Sequence, residues 1–281
     1  MPTSTEIKEA RVRSNPMVNN LLINPGFEVW QRGTGPWNTD NDMTVDEWRL
    51  VIIGGGGSST THTITRSSSP YYGDYCLQSV VNYIDNPASI LQSVEACQDL
   101  EGKWVTFSVW VHSLLENSVY ASITDYTTGS QVAASTYHQG GGWERLTAMK
   151  QIRPGLTMSH GSWPHGFGMV VNVVYLRGAT FLVDGAVLAE GYYPEGVPFV
   201  PPNPAEECER CQRFYQRSSS DPQDGSIFRQ DVVSGSNYFV DHFFQTPMYA
   251  TPTLTITNGN NVGFGASPAG TQVDRKGFKE Y

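Results

Sequence analysis

Charge is scarce in this chain. Charged residues fill 16% of its 281 positions, against the ~25% usual in soluble domains, so charge patterning decides little about the fold. What charge there is sums to −9 at neutral pH, and Lys and Arg are scattered singly. A phosphate-backbone binder needs a basic face, so nucleic acid is excluded as a partner. Long apolar runs are missing too: none approaches the ~18 residues of a spanning helix, so no membrane insertion is expected. The opening Met1-Pro2-Thr3-Ser4-Thr5-Glu6-Ile7-Lys8 has no apolar core of a signal peptide. Cysteine is limited to Cys76, Cys97, Cys208 and Cys211, and reduced thiols in a cytosolic assembly are the default expectation. Cys208-Glu209-Arg210-Cys211 is a lone C-x-x-C with neither a second pair nor a suitably spaced His, which argues against zinc. Gly54 to Gly57, followed by Ser58 and Ser59, lacks the Lys-Ser/Thr of a phosphate loop.

Turn formers and aromatics are abundant instead. The chain carries 28 Gly, 17 Pro and 12% aromatic residues, the composition of an all-β protein with many turns. The folded part is expected to begin at Asn20-Leu21-Leu22-Ile23-Asn24, where a short strand-like run meets the turn Pro25-Gly26. Phe27, Trp30 and Trp37 follow as core anchors, and Glu28 is the carboxylate among them that something must satisfy. The clearest alternation is Trp104 to His112. Val105, Phe107, Val109 and Val111 share one face, with Trp104, Thr106, Ser108, Trp110 and His112 on the other. Val119 to Thr124 reads as its hairpin partner, and Met169 to Leu176 with Ala179 to Leu188 as a final pair around Arg177-Gly178. Ten or so short strands and no long helical period predict two packed antiparallel sheets.

Residues 1–19 read as an arm for docking, and residues 20–193 as the sandwich. Five prolines at 194, 198, 201, 202 and 204 make 194–204 a rigid linker. Residues 205–281 are expected to hold one helix, over Ala205 to Gln216, and a small β segment with strands near 226–233, 237–244 and 253–257. That segment is too small to close a sheet alone, so assembly into a homo-oligomer, first of all a trimer, is expected.

Several stretches occur together in order: Asn20 to Gly33, Asp46-Glu47-Trp48-Arg49, Gly142-Trp143-Glu144-Arg145-Leu146, Phe181 to Gly191 and Glu207 to Gln216. The set resembles tailed-bacteriophage virion proteins, tail-fibre-like or minor structural, whose main domain is similar to carbohydrate-binding-module jelly rolls. The resemblance covers roughly residues 20 to 260. It implies a jelly roll with first and last strands side by side, a place on the virion, and other virion proteins as partners. It also implies a structural calcium at the junction, held by Asn24, Glu28, the turn carrying Gly73 and Tyr75, and Asp184. Calcium takes six to eight hard oxygens, carboxylates and carbonyls alike. The alternative is that Glu28 and Asp184 accept hydrogen bonds from turn amides or pair with Arg32 or Arg49.

On such sandwiches a host-surface glycan would be met by exposed aromatics beside polar side chains. The candidates are Trp110, His112, Tyr120, Tyr126, Tyr137 and Trp163, with Trp110 equally placed for burial on a central strand. No motif sets Asp40, Asp42, Asp46, Glu47, Asp125, Glu144 or the histidines, including His160 and His165, in catalytic geometry, so a non-enzymatic protein is expected.

Overall fold

The computed structural model describes residues 18–52, 61–82, 87–95, 97–125, 131–156, 168–215, 240–243, 246–248, 272–273 and 277–280. Two compact units emerge: residues 1–28 with 34–201, and residues 29–33 with 202–281.

The first unit is a sandwich of two antiparallel five-stranded sheets. One joins β1 (Arg49–Ile52), β4 (Ala88–Ser93), β9 (Met169–Tyr175), β6 (Val119–Asp125) and β7 (Gln131–Ala134), in that spatial order. The other joins β2 (His62–Ser67), β3 (Cys76–Val81), β10 (Ala179–Glu190), β5 (Trp104–Ser113) and β8 (Gly142–Gln151). One face of β5 is as expected, with Val105, Phe107, Val109 and Val111 fully buried; on the other, Trp104 stays 42% exposed but Thr106 and Ser108 are buried, their hydroxyls taken by the Tyr193 and Val197 amides. Each buried apolar side chain of the first face stabilises by about 1.5–3 kcal/mol, which holds this face of β5 toward the core. Tyr175 of β9 meets Phe181 of β10 across the core, with ring centroids 4.8 Å apart.

Two pairings differ from the sequence expectation. Val119 to Thr124 is not the hairpin partner of β5; β6 pairs with β9 and β7, whereas β5 lies between β10 and β8. Likewise β9 and β10 do not pair with each other but lie in opposite sheets. The connection after β5 crosses the sandwich edge through a turn held by Ser113 and Ser118, whose hydroxyls lie 3.0 Å apart. Strands buried on both faces look alike in either sheet, and crossing lets successive strands cover both sides of one core.

The stretch 194–201, read as linker, packs against the sandwich. Val197 and Phe199 are buried with Val187 and Ala189, and Tyr72 and Tyr193 close over them. Proline fixes the extended backbone there, and alternate side chains still point inward.

The second unit contains α1 (Pro204–Gln212) and a three-stranded sheet ordered β11 (Val240–Phe243), β13 (Gly277–Glu280), β12 (Gln272–Val273). Asn203 caps α1, its side chain accepting the Ala205 amide, with Pro204 opening the first turn. Cys211 is buried. The strands expected near 226–233 and 253–257, and most of the docking arm, lie outside the described residues. Among the described residues no helix is long and apolar enough to cross a membrane.

Candidate functional site

The first and last stretches of the sandwich meet along β10. The first half of β10 pairs with β3, Ala179 to Val183 against Val81 to Leu77. Its second half takes residues 20–25 instead: the Leu21 amide donates to the Leu188 carbonyl at 2.9 Å, and the Ala186 amide to the Pro25 carbonyl at 2.8 Å. Asn20 ties both sides, donating to the Ala186 carbonyl at 2.9 Å and accepting from the Leu188 amide at 3.1 Å. The chain then turns sharply. Asn24 and Phe27 both take positive φ, 50° and 54°, a conformation that costs a bulky residue about 1 kcal/mol or more. Burial offsets that cost: Phe27 and Trp48 are both fully buried with ring centroids 4.9 Å apart, and the Trp48 indole donates to the Asn24 carbonyl at 3.1 Å.

This turn delivers Glu28 to residues 71–75, where Asp184 arrives from β10. Asp184 Oδ2 accepts the amides of Tyr71 (2.8 Å) and Tyr72 (2.7 Å), and its Oδ1 accepts the Gly185 amide at 2.6 Å. Glu28 Oε1 accepts the amides of Asp74 (2.8 Å) and Tyr75 (3.1 Å). Two successive pairs of N–H groups, one on either side of Gly73, thus form two anion-holding concavities, each filled by a carboxylate of the chain itself. Gly73 stands between them with φ +62°, and a Cβ there would collide with Glu28 Oε1. Asp184 is fully buried. Burial pushes its carboxyl up to about 7, the three amides opposing and the Glu28 charge adding to the rise.

The five residues expected around calcium are therefore gathered, but with N–H groups aimed at the carboxylate oxygens. Asn24 does not offer its oxygen to the centre either: Oδ1 accepts the Glu28 amide at 3.0 Å, and Nδ2 donates to the Asp46 carbonyl at 3.2 Å. Among the described residues no group of three His, Cys, Asp or Glu side chains is placed to hold a metal ion. Calcium needs six to eight oxygens, and this donor set does not fit one as it stands.

The same turn forms one wall of a groove. Tyr71 stacks on Trp110 with centroids 4.0 Å apart and planes inclined by 16°, and Tyr72 packs edge-on to both rings. In the β5–β8 register Trp110 stands opposite Arg145, and His112 opposite Trp143. An open cavity of roughly 900 Å³ is lined by Tyr72, Trp110, Thr136, Arg145, Thr147, Pro194 and Glu195. Pro194 and Glu195 belong to a segment strapped to hydroxyls on the outer face of β5. The Tyr193 amide donates to Thr106 Oγ1 at 3.1 Å, and the Val197 amide to Ser108 Oγ at 2.9 Å. The Arg145 guanidinium donates to the Glu195 carbonyl. Burial raises the Tyr72 hydroxyl above its ordinary value, with Tyr71 adding to the rise and a hydrogen bond with Trp110 opposing it.

Of the residues expected to meet a glycan, Trp110 lines this groove, and His112 lies beside it, edge-on to Trp143 at 5.6 Å. Tyr120 and Tyr137 pair edge to face at 5.6 Å and are not among the lining residues. Tyr126 and Trp163, with His160 and His165, lie outside the described residues. Sequence reasoning missed Tyr71, Tyr72, Arg145 and Glu195. The tandem Tyr71-Tyr72 ahead of Gly73 is a visible signal in retrospect; Arg145 becomes one only once β8 is paired with β5.

No family model matches the chain, and no curated protein matches it. Among solved structures it is similar to the enzymatically active domain of bacteriophage CBA120 tailspike protein 4, at 12% identity and TM-score 0.40, over 61% of this chain and 21% of that one. The chain thus spans about a fifth of the tailspike chain. It is also similar to the CBM22-1 xylan-binding domain from Paenibacillus barcinonensis Xyn10C (13% identity, TM-score 0.39, 63% of this chain and 97% of that one). A third likeness is to TmCBM61 in complex with β-1,4-galactotriose (18% identity, TM-score 0.35, 62% and 99%).

Proposed function

We propose that this protein is a non-enzymatic component of a bacteriophage particle whose sandwich binds a glycan of the host surface in the groove over Trp110. The observation that carries the reading is the groove's composition: aromatic rings of Tyr72 and Trp110 beside a guanidinium, a carboxylate and threonine hydroxyls within roughly 900 Å³. Aromatic faces take the C–H surface of a sugar ring, and the polar side chains take its hydroxyls. Arg145 and Glu195 balance in charge, which suits a neutral glycan. Catalysis is not supported, because the lining carries one carboxylate, Glu195, where glycoside hydrolysis uses two. Ser79 and His62 do touch, at 2.5 Å, but both are fully buried and neither lines the groove. The virion setting rests on the ordered motif set along residues 20 to 260, and docking to other virion proteins, as a homo-oligomer, belongs to the same proposal.

The test is a broad glycan array probed with the intact protein and with Trp110→Ala and Arg145→Ala. The reading expects binding to neutral oligosaccharides that both substitutions weaken at least about tenfold, or about 1.4 kcal/mol. An array without binding leaves the sandwich as a scaffold in assembly.

A further inference from the structure

The buried carboxylate and the groove share one short turn. Tyr71 and Tyr72 donate their amides to a single oxygen of Asp184, and the rings of the same two residues pack on Trp110. The turn has no regular structure of its own: residues 71–75 are bends and coil, and Tyr71, Gly73 and Asp74 are exposed, so its amides are held by Asp184 and Glu28. The tether is set by the fold. Asp184 lies on β10 at a register shift against β5, and the following Gly185 takes φ +57°. A Cβ at Gly185 would come within 2.9 Å of the Tyr72 ring and 3.3 Å of Phe199. The Tyr72 ring therefore sits directly on the Gly185 backbone, pulled there by the carboxylate one residue earlier.

We infer that Asp184 is the positioning residue of the groove: it touches no ligand, but by holding the Tyr71 and Tyr72 amides it fixes the two rings that pack on Trp110 and so sets glycan affinity. This rests on the proposed glycan-binding role. The physical reason is preorganisation. A loop ordered before binding loses less conformational freedom when the ligand arrives, and an aromatic wall that must first be assembled weakens binding by the fraction of time it is absent. Of the half held by Asp184, Tyr72 lines the groove and Tyr71 stacks on its Trp110; Glu28 acts on the other half of the turn, on Asp74 and Tyr75, whose side chains neither line the groove nor pack on Trp110. The two carboxylates thus divide their tasks: one closes the sandwich, the other sets the aromatic wall.

The experiment combines amide hydrogen exchange with array binding on the full chain, comparing wild type with Asp184→Ala and Asp184→Asn. In wild type the Tyr71 and Tyr72 amides should exchange at least about 100-fold more slowly than an unbonded exposed amide. In Asp184→Ala that protection should vanish, the Trp110 indole resonance should move as it does in Tyr71→Ala, and glycan retention should fall at least about tenfold while cooperative melting persists. Asp184→Asn, which keeps an acceptor oxygen, should recover part of both. Fast exchange at Tyr71 and Tyr72 in wild type overturns the inference without any variant, even if Asp184→Ala fails to fold. So does a folded Asp184→Ala that binds glycan as wild type does. A wild type that binds no glycan, yet protects both amides, overturns the glycan reading and with it the effect on affinity, and leaves only the tether.

Discussion

Glu28 and Asp184, from opposite ends of the sandwich's sequence, grip the same turn, Asp184 holding the amides of Tyr71 and Tyr72 and Glu28 those of Asp74 and Tyr75. The turn between them is thereby the place where the first stretch of the sandwich, its last strand and the groove are joined.

Gly73 is the residue that this arrangement tolerates least well in altered form. A side chain there meets Glu28 Oε1, and its φ of +62° disfavours any residue with a Cβ. Gly73→Ala should lower unfolding free energy by about 1–3 kcal/mol, measured by urea denaturation. A loss below a few tenths would mean that Glu28 does not sit over this glycine.

The amide-filled carboxylates set an expectation for calcium. A cation bound to the native state at 100 times its Kd would raise stability by about 2.7 kcal/mol, and its removal would lower Tm accordingly. Here excess chelator, and excess calcium, should each leave Tm where it was. A chelator-induced fall, restored by calcium and absent in Glu28→Gln, would show that the turn reorganises to present oxygens.

Two buried groups give opposing pH dependences. Burial pushes the His62 imidazole down to about 3 from 6.5. The unfolded chain therefore takes up that proton first, so the His62 contribution is full above about pH 6.5 and is lost as pH falls toward 3. Asp184 runs the other way. Its carboxyl is raised from 3.8 to about 7, so its contribution is full below about pH 3.8 and is lost as pH rises through 7. Each unit of displacement is worth about 1.4 kcal/mol, and between about pH 4 and 6.5 the two oppose. Wild-type Tm should be shallow across that window, while Asp184→Asn should show Tm climbing with pH. Parallel profiles for the two proteins would contradict the assignment.

Much of this was legible in the sequence, and the failures share a cause. The apolar period of β5 set which side chains face the core, and Pro25-Gly26 marked the sharp turn ahead of Glu28, because both are local signals. The meeting of Glu28 with Asp184 followed from the motif resemblance rather than from any local pattern. Pairing β5 with β6, and β9 with β10, failed because nearness in sequence was taken for nearness in the sheet, while strands buried on both faces carry no mark of which sheet they join. Arg145 was invisible for the same reason: its position beside Trp110 depends on the β5–β8 register. The prolines of 194–204 read as a spacer, yet Val197 and Phe199 between them are buried.

Trp104 supplies an internal control for the groove. It is 42% exposed and pairs edge-on with Tyr192 at 5.0 Å, yet it lies outside the groove lining. The decisive measurement is a titration of the protein, labelled at its tryptophan indoles, with the neutral oligosaccharides of the array. The Trp110 indole resonance should shift and saturate while that of Trp104 stays fixed. No shift at Trp110 with any of them, or a saturable shift confined to Trp104, would contradict a glycan site in this groove.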